Sequence, residues 1–188
     1  MLPIPKFHTE QISLRPFTAD DIPALHAYLS HPDLAGRRYI PWEFDHLLPL
    51  PFKQAEGIVE EWNKKEDSFT YAIIENQTQA LIGHATADWG WDPHMPDCAV
   101  VIDPAHQRKG FGSQAMTLLI DYLYDFSVAH NISTWVVEWN QPALAFALKM
   151  GFTNVGRLRR TNYSGGSFYD EVVFDLLRPE WKERRHAA

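Results

Sequence analysis

The spacing of apolar residues divides the chain into helices and strands. Between Gly112 and Phe126 apolar residues recur every three or four positions, which predicts an amphipathic helix. The same spacing predicts helices over residues 18–31, 52–65 and 142–150. Residues 32–51 carry several prolines and aromatic side chains and are predicted to form a long loop of the kind that shapes a binding site.

Alternating or continuously apolar segments predict the strands. Residues Cys98–Ile102 are all apolar, which indicates a buried strand that Pro104 closes. Two strands are predicted before it, at residues 69–75 and 80–89. Together with the strand at 97–103 they favour an antiparallel meander. Further strands are predicted at 11–16, 134–138, 155–160 and 168–176.

Composition indicates one globular domain in the cytoplasm. The 188 residues are 45% hydrophobic and 22% charged, and no repeat or linker divides them, so residues 1–188 are expected to form a single domain. The single cysteine, Cys98, excludes an internal disulfide and fits a reducing compartment. Prolines near the N-terminus argue against a secretion signal, and no segment approaches the ~20 apolar residues of a membrane span. We therefore expect a soluble cytoplasmic protein with no membrane partner.

The formal charge of −7 argues against a surface that neutralises nucleic-acid phosphates. No basic run is longer than Lys182–Arg185, so nucleic acid is not an expected partner. An excess of acidic residues favours cationic substrates. The same excess is also common in proteins only because it increases solubility, and both interpretations stay open.

The turn Gln107–Gly112 lies between the buried strand and the clearest helix. Backbone N–H groups at a helix start bind phosphate, and glycines allow the close approach of a ligand to the main chain. Arg108 and Lys109 add positive charge, although two glycines also occur in plain turns. The P-loop spacing is missing, and so is the dinucleotide G-x-G-x-x-G, because Ala115 stands where a third glycine is required.

Two motifs in order resemble the GNAT acetyltransferase superfamily. Gln107–Gly112 (Q-R-K-G-F-G) matches the acetyl-CoA signature [QR]-x-x-G-x-[GA], and Asn140–Phe152 resembles the second motif, which runs from N-x-x-[SA] to K-x-G-F. Ile12–Phe17, followed by an acidic helix start, is similar to the branch of ribosomal-protein N-terminal acetyltransferases. The resemblance covers nearly the whole chain.

This resemblance implies an α+β fold with about seven mainly antiparallel strands and about four helices, with the sheet splayed between the fourth strand (97–103) and the fifth. Acetyl-CoA is then the cosubstrate and wedges into the gap. Main-chain groups of the fourth strand contact its pantetheine arm, and N–H groups of the turn hold its pyrophosphate. The residues implied at the coenzyme are Val100, Val101, Ile102, Gln107, Arg108, Lys109, Gly110, Phe111, Gly112, Ser113, Asn140, Phe146 and Lys149. For Lys149 the alternative is a surface charge exposed to solvent.

Acetyl transfer from a thioester requires positioning and stabilisation of an oxyanion, which backbone N–H groups of a splayed strand can supply. The N–H near Val100 is the oxyanion candidate. Many family members carry a tyrosine seven residues after the asparagine and a serine three residues after it, but this chain has Ala147 and Ala143 there. The general acid is therefore unassigned, and water or the product ammonium can protonate a thiolate with a pKa of about 8.5.

Asp97 matches the acidic position often found at the start of the fourth strand, where a carboxylate can act as general base. Its alternative role is to cap the turn after Pro96. Competing bases on neighbouring strands are Glu75, His84, Asp88 and Glu138. His84 and His94 lack a set of partner ligands, so no metal is expected.

The ring faces of tryptophan attract ammonium groups, so Trp42, Trp89 and Trp91 are candidates for the pocket that binds the acceptor amine. The alternative is that they are core residues. Trp135 is predicted to be a core residue.

The favoured function is acetyl-CoA-dependent N-acetylation of a primary amine of a small molecule or protein N-terminus, by direct attack in a ternary complex. The alternative is a degenerate acetyl-CoA-binding sensor or interaction module. The acceptor and the oligomeric state stay open, with a homodimer as one alternative.

Overall fold

Seven strands and five α-helices occupy the described residues, 4–34, 49–90 and 92–187, of a computed structural model. The helices are α1 (Ile22–Leu29), α2 (Phe52–Lys64), α3 (Phe111–Phe126), α4 (Gln141–Met150) and α5 (Arg178–Ala187). The strands are β1 (Ile12–Pro16), β2 (Ser68–Glu75), β3 (Leu81–Asp88), β4 (Asp97–Ile102), β5 (Asn131–Val137), β6 (Thr153–Ser164) and β7 (Ser167–Leu177). No helix in this part of the chain is long and apolar enough to cross a membrane.

All strands join one sheet in the order β1-β2-β3-β4-β5-β7-β6. Neighbouring strands are antiparallel except β4 and β5, which are parallel and share a single registered pair, Asp97 with Ser133. The Ser133 N–H donates to the Pro96 carbonyl at 3.0 Å, at the start of both strands. Beyond this pair no further β4–β5 register is formed by the described residues, so the two strands part toward their carboxyl ends. The predicted α+β architecture and its splay are confirmed.

The helices cover the two faces of the sheet and create two cores. Helices α3, α4 and α5 pack on one face, here called the α3 face, and α1 and α2 pack on the other, the α1 face. Side chains of β4 alternate between them. Cys98, Val100 and Ile102 pack toward the α3 face, whereas Val101 packs toward α1 and α2.

Helix α5 is the element that the apolar pattern missed, and it raises the helix count above the predicted four or so. Its sequence is strongly polar, but Trp181 is 6% exposed and its Nε1 donates to Asp121 of α3 at 2.8 Å. Arg185 adds ion pairs with Asp121 and Asp125 of α3, so one buried tryptophan and polar contacts dock a helix that has no apolar stripe. The last two strands are also longer than predicted, because β6 and β7 pair with each other up to the turn at Gly165 and Gly166.

Gly83 allows β3 to approach β4 closely, and its replacement by alanine is expected to be destabilising. A Cβ at this position would lie 2.1 Å from the Val101 carbonyl oxygen and 3.0 Å from the Ile102 Cα. Because both contacts are backbone, β4 must shift, at a cost of about 1–3 kcal/mol. Gly57→Ala is the control, since its Cβ meets nothing within 4 Å and alanine favours a helix. Urea unfolding measures both variants, and equal stability of Gly83→Ala and wild type would contradict the prediction.

Candidate active site

The edge of β4 that faces β5 offers backbone groups to a ligand. The Pro96 carbonyl accepts from Ser133 of β5, whereas the Asp103 N–H donates to Ile82 of β3 at 2.9 Å. Backbone groups of alternate residues in a strand point to the same side, so Val100 shares the direction of Pro96 and faces the gap. The Val101 carbonyl instead faces Gly83 of β3. Of the three predicted strand contacts, Val100 and Ile102 therefore present their main chain to the gap, and Val101 does not.

The turn after β4, Gln107–Gly110, is here called the cradle and is a candidate for binding an anion. The Gln107 Nε2 donates to the Ile102 carbonyl at 2.9 Å, which holds the turn on the end of β4. Arg108 has φ +61° and Gly110 has φ +86°, so two left-handed residues occur within three positions. Such backbone directs successive N–H groups into one concavity that binds anions. A left-handed conformation is uncommon for a residue with a side chain and is typical of functional turns.

The cradle opens onto the N-terminus of α3. Gly110 is the N-cap of this 16-residue helix, whose dipole is positive there. A Cβ at Gly110 would have the Gln114 Nε2 as its nearest neighbour, at 4.0 Å, so the space above Gly110 is open to a ligand. A Cβ at Gly112 would lie 3.5 Å from Ile102 and 3.8 Å from Phe146. Gly112 thus brings together the predicted residues of β4, α3 and α4.

Helix α4 places the remaining coenzyme candidates. Asn140 is buried, and its Oδ1 accepts from the Ala143 N–H at 3.4 Å as the N-cap. Lys149 is exposed on the last turn, about 13 Å along the helix from Asn140, which fits a solvated charge. Ala147, where family members carry tyrosine, is 4% exposed in the core on the α3 face. Phe111 is buried in the same core, so its side chain is not exposed to a ligand.

The favoured base, Asp97, lies at the closed end of the splay. It accepts a hydrogen bond from the Ser133 hydroxyl and is directly opposite Asp88 of β3 in the register. It lies three positions before Val100, which corresponds to about 10 Å along the strand.

Three competing bases hold structural contacts instead. His84 is fully buried, and its Nδ1 lies 2.6 Å from the Tyr28 hydroxyl, whose pKa burial raises well above the ordinary value. The Glu138 carboxylate accepts from Arg157 Nη1 and from the Asp170 N–H, each at 3.0 Å. Glu75 accepts from the Thr78 hydroxyl at 2.6 Å, in the β2–β3 turn.

The tryptophans predicted at the acceptor are not brought together. Trp89 is half-buried and packs against Phe69, with ring centroids 5.8 Å apart, on the α3 face. Trp42 and Trp91 lie outside the described residues. Trp135, predicted to be in the core, is half-buried and belongs to neither core cluster of the described chain.

Two polar residues that the sequence did not single out are buried in β7 and β6. Glu171 of β7 is 2% exposed and Asn162 of β6 is 7% exposed. An acidic residue directly before Val172-Val173-Phe174 is the signal that was available, because a carboxylate inside an apolar strand is seldom buried without a function or a partner.

Comparison with known proteins assigns the class. Residues 11–153 match the family described as acetyltransferase (GNAT) domain. The chain belongs to this family and is an acyltransferase.

Its relatives are distant but extend over most of the chain. A Bacillus subtilis protein named uncharacterized N-acetyltransferase YnaD is 24% identical over 173 residues, 92% of this chain and 97% of that protein. The [ribosomal protein uS5]-alanine N-acetyltransferase of Escherichia coli is 22% identical and covers 77% of this chain and 78% of its own length. The crystal structure of spermidine N-acetyltransferase from Vibrio cholerae in complex with CoA and spermine superposes with a TM-score of 0.78 at 19% identity, over 93% of this chain and 99% of that one.

Proposed function

We propose that this chain uses acetyl-CoA to acetylate a primary amine of a small molecule or of a protein N-terminus, by direct attack in a ternary complex. The observation that carries the proposal is the anion cradle at Arg108–Gly110, next to the open edge of β4. A phosphate site beside strand main-chain groups that face the splay would suit a ligand with a pyrophosphate and an extended amide arm.

The residues present fit the coenzyme. N–H groups from Arg108 to Ser113 would bind the pyrophosphate, and the Arg108 and Lys109 side chains are exposed where they add positive charge. The arm would run along Val100 and Ile102, with Phe146 packed beside Gly112. Asn140 would contact it through its side-chain amide. Acetyl-CoA supplies the activated acetyl group.

Two groups of this chain would assist the transfer. The Val100 N–H is fixed in the strand and would donate to the oxygen on which negative charge develops, without reorganisation during the reaction. Asp97 would accept the proton of the attacking amine through water. Ala147 and Ala143 provide no acid, so water or the product ammonium would protonate the leaving thiolate.

The acceptor proposed here is a cationic amine. Asp88 and Asp97 lie opposite each other on adjacent strands and project to one face, and the whole chain carries a formal charge of −7. Two relatives are named as acetyltransferases of a ribosomal-protein alanine and of spermidine. These names support an α-amine or a polyamine as the acceptor. The cytoplasmic location and the homodimer stay predictions.

A degenerate coenzyme sensor is the second candidate, because the tyrosine position is an alanine buried in the core. Release of CoA thiol in the presence of spermidine or an alanine-initiated peptide separates the two functions. Steady release with either amine supports the enzyme, whereas coenzyme binding without release supports the sensor.

Acetyl-CoA is expected to raise the melting temperature. A ligand that binds only the folded state at a hundredfold excess over its Kd stabilises that state by about 2.7 kcal/mol. Free CoA should be nearly as effective, because the cradle would bind the part that both molecules share. If neither ligand shifts the melting curve at millimolar concentration, the coenzyme site is not at this turn.

A further inference from the structure

The side chain of Gln114, in the first turn of α3, is held by two residues that precede β1. The Thr9 hydroxyl donates to the Gln114 Oε1 at 2.6 Å, and the Gln114 Nε2 donates to the Gln11 Oε1 at 2.5 Å. Thr9 and Gln11 stand 105 and 103 positions earlier in the chain. The Gln114 N–H donates to the Gly110 carbonyl at 3.2 Å, so this fixed side chain belongs to the helix turn that follows the cradle.

The hydrogen bonds of Thr9 decide which way the Gln114 amide faces. The Thr9 Oγ1 accepts from the N–H groups of Gln11 and Ile12, at 3.2 Å and 3.1 Å. A hydroxyl has two acceptor lone pairs and one hydrogen, so its hydrogen is left for Gln114. The amide oxygen must therefore face Thr9, and the amide nitrogen faces Gln11 and Gly110.

The Gln114 Nε2 has a second hydrogen to donate. An amide nitrogen carries two N–H donors, and within the described part of the chain only Gln11 accepts from this one. Gln114 is half-buried at the protein surface, so a ligand in solution can reach the donor. Its Nε2 is 4.0 Å from the position of a Cβ on Gly110. A phosphate oxygen above Gly110, about 1 Å nearer to the Nε2 than that position, would accept at about 2.9 Å.

The segment that holds Gln114 is itself anchored on both sides. The Phe7 ring packs against Tyr71 and against Tyr122 of α3, with centroids 5.6 Å and 5.2 Å apart. The Asn76 Nδ2 donates to the carbonyls of Thr9 and Glu10, each at 3.0 Å. A donor that is fixed before the ligand arrives loses less conformational entropy when the ligand binds.

We propose that Gln114 is a further coenzyme-binding residue, which donates from its Nε2 to the pyrophosphate in the cradle, and that Thr9 is the positioning residue that orients this amide. The proposal rests on the proposed function, since it names a side chain that binds the cosubstrate of that reaction. It gives the residues before β1 a part in coenzyme affinity, although they are distant from the cradle in sequence.

Calorimetric titration of Gln114→Glu with CoA tests the contact. Glutamate keeps an oxygen that accepts from Thr9 but places a negative charge beside the pyrophosphate, so CoA should bind at least about a hundredfold more weakly. Asn154→Asp is the matched control and should bind CoA like wild type. It is the same amide-to-carboxylate change at an exposed residue of β6, two strands removed from β4, and its oxygen can still accept from the Gly156 N–H.

Gln114→Leu removes the donor without adding charge and is expected to weaken CoA binding about tenfold, as for loss of a hydrogen bond to a charged group. Dephospho-CoA, which keeps the pyrophosphate but lacks the 3′-phosphate, should show the same loss. A loss with CoA that is absent with dephospho-CoA would overturn the assignment to the pyrophosphate.

Thr9 is tested by a double-mutant cycle. Thr9→Val removes the hydroxyl at nearly constant shape and is expected to weaken CoA binding by about threefold to tenfold, whereas Thr9→Ser keeps the hydroxyl and should restore wild-type affinity. In the Gln114→Leu background Thr9→Val should cause no further loss, because the amide that it orients is gone. Additive losses would overturn the positioning role, since a general loosening of the fold acts whether or not the amide is present.

The wild-type titration separates this proposal from the proposed function. If wild type does not bind CoA, the proposed function fails and the role of Gln114 with it. If wild type binds CoA and both Gln114→Glu and Gln114→Leu bind it equally well, the role of Gln114 alone is removed.

Discussion

Replacement of Gly110 by aspartate is expected to weaken acetyl-CoA binding by at least about a hundredfold while the protein stays folded. The new carboxylate would stand in the open space above the cradle, where the nearest atom to a Cβ is 4.0 Å away. Juxtaposed like charges cost several kcal/mol, and about 2.7 kcal/mol already corresponds to a hundredfold change in affinity. Isothermal titration with acetyl-CoA and with CoA measures the loss.

The backbone of Gly110 requires a control for strain. At φ +86° a residue with a Cβ is strained, which destabilises the fold itself by roughly 1–2 kcal/mol. Gly166 has φ +82° in the β6–β7 turn, and a Cβ there meets nothing within 4 Å. Gly166→Asp therefore carries the same added charge and a similar strain away from the cradle, and it should bind the coenzyme normally. Equal affinities of the two variants would move the phosphate site elsewhere.

Replacement of Asp97 by asparagine is expected to lower the acetylation rate at pH 7 by about 10²–10⁴-fold if this carboxylate is the base. The loss should shrink as pH rises, because free amine then appears without help. An ε-amine with a pKa of about 10.4 is neutral in only about one molecule in 2,500 at pH 7, whereas an α-amine near 7.8 is neutral in roughly one in seven. A lysine-like acceptor should therefore show the larger loss. The pH profile of kcat/KM from pH 6 to 10 measures it.

The fold is expected to tolerate this change. Asparagine keeps an oxygen that can accept from the Ser133 hydroxyl, and it removes the like charge opposite Asp88. Stability should be unchanged or slightly higher. Asp175→Asn removes a charge from the same face, since Asp175 pairs with Ser133 on β5, and serves as the control for long-range electrostatics. A loss below tenfold at pH 7, or one that stays constant up to pH 10, would leave Asp97 as a structural cap, and the same profile would then be measured for variants of Glu75, Asp88 and Glu138.

The sequence by itself determined most of the helices and strands and the turn proposed for the coenzyme. Helices such as α3 follow from the spacing of residues within a few turns, and the cradle depends on consecutive residues, Gln107 to Gly112. Local sequence suffices where the interacting groups are neighbours in the chain. Together with the two motifs, this predicted the α+β fold and the splay after the fourth strand.

Only the tertiary structure decided which polar groups meet. The pairing of Asp97 with Ser133 joins residues 36 positions apart, and Glu171 and Asn162 share a face because a two-residue bulge shifts the register of β6. Helix α5 is docked by Trp181 and Arg185, which contact Asp121 and Asp125 of α3 about 60 positions earlier in the chain. Strand register and helix docking are set by contacts distant in sequence, and a shift of one residue moves a side chain to the other face of the sheet. For that reason the fold and the geometry of the turn proposed for the coenzyme follow from the sequence, whereas the pairing of polar groups between strands became visible only in the folded chain.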